Sequence, residues 1–79
     1  MIRNVYGMRD EMVGFVGVNL DTNDDVAKRN FLLSMNSLAD RLPVKDYSLY
    51  FLGTVDDETG MFTQDSIPRL LCRGGDLIE

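Results

Sequence analysis

Between Thr22 and Pro43 five apolar residues fall on one helical stripe, and the rest of the chain has to be arranged around it. Ala27, Phe31, Met35, Leu38 and Leu42 stand at i, i+4, i+8, i+11 and i+15, the spacing of a single helix face. Thr22 is placed to cap the helix start. Asp25, three residues on, completes a capping-box-like pattern. Asp24 and Asp25 then occupy the first turn, where the positive end of the helix dipole favours acids. Pro43 is expected to help end the helix. A lone amphipathic helix needs an apolar partner layer, and the flanking segments supply strands.

Residues 2–8, IRNVYGM, and 12–20, MVGFVGVNL, are rich in Val, Ile, Tyr and Phe. Arg9-Asp10-Glu11 between them is short enough for a hairpin. Gly14 and Gly17 inside the second run suggest a bulge or a close backbone approach. Residues 47–55, YSLYFLGTV, are the clearest strand. Strict alternation sets Tyr47, Leu49, Phe51 and Val55 on one face and Ser48, Tyr50, Leu52 and Thr54 on the other. The acidic turn Asp56-Asp57-Glu58-Thr59-Gly60 follows, with Gly60 supplying a positive φ, and Met61–Thr63 return as a short strand. Pro68 is compatible with a short helix or with an edge strand, and Gly74-Gly75 breaks whatever precedes it. The expected fold class is α+β, in the order β-β-α-β-β, with one helix on one face of a small antiparallel sheet. The C-terminal segment stays open between a short strand and a short helix. The 79 residues make a single domain, 1–79.

At this length roughly 60% of the unfolded surface can be buried, so stability is marginal. The one cysteine, Cys72, excludes an intrachain disulfide, and with no histidine and no CxxC a structural zinc site is not expected. Dimerisation is the remaining external support for so small a core. The formal charge of −5 repels phosphate at long range. The basic candidates Lys28–Arg29, Arg41/Lys45 and Arg69/Arg73 are sparse. No apolar run reaches the about 20 residues that span a membrane, and no signal peptide is expected. The chain is therefore read as intracellular, with Cys72 a reduced thiol.

No nucleophile–base pair, phosphate-binding glycine loop or cofactor motif stands out, so no catalytic residue, cofactor or metal site is assigned and the chain is read as non-enzymatic. Asp21-Thr22-Asn23-Asp24-Asp25 opens like a calcium loop, but its sixth position is Val26 and its twelfth is Leu32, where glycine and glutamate are required. It is read as a helix cap. Asp56, Asp57 and Glu58 are read as a solvated turn.

Both faces of the sheet look apolar, and one helix covers only one. Tyr50 and Leu52 on the outer sheet face, with Val26, Arg29 and Leu33 on the outer helix face, are the candidate partner or dimer surface. The alternative is single-stranded DNA binding, with Tyr47, Tyr50 and Phe51 stacking on bases and Arg69 and Arg73 on phosphate.

Four stretches resemble one family, the small nonstructural protein of the gokushovirus-type microviruses, phages with single-stranded DNA genomes. NVYGMRDEMVGF, residues 4–15, resembles its "VYSIRDxKxGxF" opening. NDDVAKRNF, residues 23–31, resembles "NDxVAxRNF". DYSLYFLGTVDDETG, residues 46–60, resembles "DYSLYxLGxFDxxTG" and is the most specific. Ile67-Pro68-Arg69-Leu70-Leu71 and then Gly74-Gly75 fit the "xPxxLxxG" tail. The departures bear on loop conformation more than on the fold. Val18-Asn19-Leu20-Asp21 replaces an apolar-proline turn, and Leu42-Pro43-Val44-Lys45 replaces a His-Pro approach to Asp46.

The resemblance implies a phage protein made in the cytoplasm of the infected bacterium and not a virion component. Such proteins are likened, by size and gene context, to the factor that switches replication to single-strand synthesis coupled to packaging. The implied partners are a second copy of the chain and the phage replication initiator or procapsid proteins. Direct contact with nucleic acid is disfavoured by the net charge, and no membrane is implied. The expected function is a homodimeric interaction module in single-stranded DNA genome synthesis and packaging.

Overall fold

The computed structural model describes residues 1–41 and 43–77. Strands β1 (Ile2–Asp10), β2 (Gly14–Asp21), β3 (Tyr47–Asp56) and β4 (Phe62–Arg73) form one antiparallel sheet in the order β2-β1-β3-β4. The one α-helix among the described residues, α1 (Asp24–Leu38), lies between the second and third strands in sequence. Short 3-10 turns at Val44–Asp46 and Gly74–Leu77 complete the described chain. The expected element order and fold class hold.

The helix buries its stripe against β1 and β3. Ala27, Phe31 and Met35 join Tyr6, Val44, Tyr47 and Leu49 in the core, with Leu38, Phe51, Leu71 and Cys72 packed at its margin. Leu42 of the expected stripe lies outside the described residues. The cap is Asn23, not Thr22. Asn23 is extended, and its side-chain oxygen accepts the Val26 N–H at 2.9 Å. That satisfies one of the N–H groups the first turn leaves unpaired. The two first-turn acids are Asp24 and Asp25, as expected. The helix ends at Leu38, before Pro43 can act, and the Leu38 carbonyl accepts the Arg41 N–H at 2.9 Å.

The β1–β2 turn sits two residues later than expected. Arg9 and Asp10 belong to β1, and the turn is Glu11-Met12-Val13. Asp10 explains the shift: its side chain accepts the Met12 N–H and its carbonyl the Val13 N–H, each at 2.9 Å, so the aspartate closes the turn behind it. The expected irregularity near the β2 glycines is a bulge, since Met8 pairs with Gly17 while Arg9 pairs with Phe15, leaving Val16 extra.

A second bulge corrects the facing of β3. Tyr6 pairs with Phe51 and Val5 with Gly53, so Leu52 is the extra residue. Beyond it the alternation reverses. Thr54 pairs with Asn4 and shares the helix side, while Val55 pairs with Arg3 and turns outward. Strict alternation placed these two the other way round.

β4 is far longer than the Met61–Thr63 strand expected, and it absorbs the ambiguous segment with Pro68. Pro68 takes the edge-strand option, since β4 has a neighbour on one side only. Gly60 turns the chain into it at φ 78°.

At Gly53 the backbones of β3 and β4 approach closely. A Cβ there would run into the Thr63 carbonyl oxygen and lie 3.0 Å from Gln64 Cα. Both obstacles are backbone, so neither can swing aside. Gly53→Ala should therefore lower stability by roughly 2–4 kcal/mol, read as a fall in the urea midpoint at unchanged slope.

Candidate interaction face

The helix covers one side of the sheet. On the other side, cross-strand pairing places Gly7 between Val18 of β2 and Tyr50 of β3, with Leu70 of β4 beyond. Phe15 and Leu52 close over the bare glycine: a Cβ on Gly7 would lie 2.8 Å from Phe15 Cδ1 and 2.9 Å from Leu52 Cδ1. The Phe15 and Tyr50 rings meet edge to face at 5.5 Å. Leu20, paired with Val5, extends the patch toward the far end of β2. Among the described residues no element lies over this face. The Gly74–Leu77 turn packs instead beside Val44 and Lys45.

One end of the face is polar. Arg9, Ser48 and Arg73 form a cross-strand row there. Arg9 Nε donates to Glu11 Oε1 at 2.8 Å, and the Tyr50 hydroxyl donates to Glu11 Oε2 at 2.9 Å. The Arg9 hydrogen bond, followed by that of Tyr50, holds the Glu11 carboxyl below its usual pKa. Desolvation, then the bond to Glu11, pushes Tyr50 up. The Arg9 guanidinium also stands 5.2 Å from the Phe15 ring centroid, within cation–π range. Opposite charges thus neutralise one another beside an apolar, aromatic surface, the composition that concentrates binding energy at interfaces.

Of the residues singled out as a partner surface, Tyr50 and Leu52 lie on this face. Val26, Arg29 and Leu33 lie on α1, across the core from it. Leu33 is 62% exposed and Val26 is half-buried. The five therefore form two separate surfaces. Phe15, Val18, Leu20 and Leu70 belong to the outer sheet face and were missed. For Val18 and Leu20 the signal was present, since they alternate with Gly17 and Asn19.

The five residues of the DNA reading are dispersed. Tyr47 is buried in the core. Phe51 is on the helix side, its ring edge to face with Tyr6 at 5.7 Å and covered by the Arg69 guanidinium at 4.8 Å. Arg69 Nη1 also reaches Asp24 Oδ2 at 3.6 Å. Only Tyr50 and Arg73 share the outer face.

The acidic stretches are likewise occupied within the chain. Asp21 accepts hydrogen bonds from the Asn19 and Asn30 amides at 2.9 and 3.2 Å. Asp57 accepts from Arg3 Nε at 2.9 Å, which leads in lowering its pKa. The Met1 amine lies 3.0 Å from the same carboxylate.

The fold and this surface define a small two-layer α+β domain whose helix covers one sheet face and leaves an aromatic, arginine-flanked face open. A family model described as "Phage ORF5 protein" matches residues 3–77, and the chain belongs to that family of phage proteins. No curated protein and no solved structure matches it. No helix among the described residues is long and apolar enough to cross a membrane.

Behind the open face, the hydroxyl of fully buried Tyr6 donates to Asp24 Oδ1 at 2.7 Å and accepts from Asn4 Nδ2 at 2.9 Å. Burial, and after it the Asp24 bond, push its pKa up to about 12. An unfolded tyrosine loses its proton near pH ~10. The raised value therefore adds stability that is complete below the unfolded pKa and is lost as pH rises through the folded one. Tyr6→Phe should cost about 1 kcal/mol at neutral pH. Its urea midpoint should also fall less than that of the wild type between pH ~10 and the folded value of about 12.

Proposed function

We propose that this phage protein is a non-enzymatic accessory factor, a homodimeric interaction module acting in single-stranded DNA genome synthesis and packaging, of the gokushovirus type. The supporting observation is the uncovered outer sheet face, where Phe15, Tyr50, Leu52 and Leu70 surround Gly7 with an arginine–glutamate pair at their edge. A domain of this size gains from covering such a face with a protein partner. The resemblance described above supplies the biological setting, with the phage replication initiator or procapsid proteins as partners in the cytoplasm of the infected host.

Single-stranded DNA binding is the second reading. One observation favours it: aromatic Phe15 and Tyr50 share a sheet face with Arg9 and Arg73, the elements of a stacking platform. The net charge of −5 works against it.

Two measurements separate these readings. In a sedimentation-velocity concentration series the wild-type protein is expected to be dimeric at micromolar concentration, and a strict monomer at high micromolar concentration would overturn the homodimer. Tagged protein recovered from infected cells is expected to bring down the initiator or capsid proteins, with recovery reduced in Leu70→Glu and retained in Leu33→Glu. Recovery of DNA alone, with oligonucleotide affinity falling steeply as salt rises, would select the second reading.

A further inference from the structure

The two edges of the sheet are unlike. β4 is bulged twice. Leu71 is extra between the Leu49–Cys72 and Tyr50–Leu70 pairs, and Asp65–Pro68 loop out between Gln64 and Arg69. Pro68 also removes a backbone donor, and Asp65, Arg69 and Arg73 add charge along the strand. These are the devices that keep an edge from pairing with another chain.

β2 carries few of them. It pairs with β1 alone, has no proline and no basic residue, and its one charge, Asp21, stands at its end. Val16, Val18 and Leu20 are 50%, 63% and 46% exposed. The ladder with β1 is regular from Gly17 to Asp21, so the opposite side of that stretch presents a straight row of backbone donors and acceptors.

We propose that two copies of this chain pair antiparallel through their β2 edges, about a two-fold axis at Val18, forming one continuous eight-stranded sheet; this rests on the homodimer reading above and names its interface. Directly opposed residues in an antiparallel pair share a face, so the axis passes through a residue and not between two. Centred on Val18, the pairing sets Val18 against its own copy, Leu20 against Val16, and Gly17 against Asn19.

Three features of β2 fit this occupant. The first is charge. The segment 14–20 carries none, and the two Asp21 carboxylates fall roughly 20 Å apart along the paired strands. Two acidic chains thus meet where neither bears charge. The second is shape. A Cβ at Gly17 would have nothing within 4 Å, and Gly17 lines an open cavity of about 370 Å³ floored by Met8, Phe31 and Leu49. The proposed register puts the Asn19 side chain of the second copy beside that empty position, and by symmetry the reverse. The third is closure. An isologous pairing uses up both β2 edges, and β4 is blunted, so assembly stops at two. The Val16 bulge ends the regular ladder on its own side. The resulting dimer keeps its two outer faces contiguous and open to a protein partner.

The test combines an edge charge with a cysteine scan. Val18→Lys places two ammonium groups at the axis and should raise the dimer dissociation constant by at least about tenfold, with the circular-dichroism spectrum unchanged. Leu33→Glu and Leu70→Lys, away from the edge, should stay dimeric. Under mild oxidation Val18→Cys should crosslink to a covalent dimer, because its two copies face each other directly. Leu20→Cys, set against Val16, should not, and the wild type with Cys72 alone is the control. A Val18→Lys protein that remains dimeric while Leu70→Lys or Leu33→Glu becomes monomeric overturns the edge and leaves the homodimer standing. Crosslinking through Leu20→Cys but not Val18→Cys overturns the register. A wild-type protein that is monomeric throughout overturns both this inference and the reading beneath it.

Discussion

The two layers are joined at Tyr6. Its ring is fully buried in central strand β1, and its hydroxyl reaches Asp24 in the first turn of the helix at 2.7 Å. Phe51 of β3 packs edge-on against the same ring, Arg69 of β4 covers Phe51, and Arg69 returns to Asp24. One closed circuit therefore ties β1, β3 and β4 to the start of α1. The Arg69–Asp24 ion pair is half-exposed, and such pairs contribute little alone. What the circuit supplies is position: it seats the helix start over one end of the sheet, and Ala27, Phe31 and Met35 then fall on the apolar strip that leads away from it.

Seating the helix this way has a geometric consequence. A helix with its side chains is about 10 Å wide, whereas four strands at about 4.8 Å spacing are wider. α1 cannot cover the whole of even one face. The open ground between β2 and α1 is the cavity floored by Met8, Phe31 and Leu49, and it lies beside the edge that carries Val16, Val18 and Leu20. Among the described residues the opposite face has no helix. Both exposed regions follow from the same shortage of covering elements in a 79-residue chain.

The parts of this architecture legible in the sequence are those set by periodicity. The stripe Ala27–Phe31–Met35 is a helix face whatever it packs on, and Leu49 beneath it follows from alternation in β3. What alternation cannot show is a bulge. Gly53 carries the same in-strand glycine signal as Gly14 and Gly17, but it does not place the extra residue at Leu52. The Thr63 backbone approaches Gly53 so closely that only glycine fits, and this contact belongs to the sheet, not to β3 alone. β4 was largely hidden because its two bulges and Pro68 break the period, so only Phe62 and Thr63 of its twelve residues read as strand. The cap moved from Thr22 to Asn23 because both residues have suitable side chains and only the backbone decides which precedes the first turn. The candidate face was half legible. Tyr50 and Leu52 followed from alternation, but Phe15 came to lie over Gly7 only once the β2 bulge had set its register.

The stretch that most resembles a known family, residues 46–60, carries this division within itself. Its first half alternates regularly and separates Tyr47 and Leu49, buried under the helix, from Tyr50 on the open face. Its second half is constrained by close approach at Gly53 and by the Gly60 turn. Its aspartates serve the chain itself, with Asp57 holding Arg3 and Asp56 accepting the Glu58 N–H through its side chain. A hairpin that consumes its own acids and presents its aromatics on opposite sides of a sheet has a structural role on one side and a surface on the other. Since β3 is interior to the sheet, that surface can be reached across its face but not along its edge. Edge contact is left to β2, where the backbone is open and the charge is absent, and face contact to the patch around Gly7. The two surfaces adjoin at Val18 and Leu20, whose side chains belong to the outer face while their backbone forms the open β2 edge.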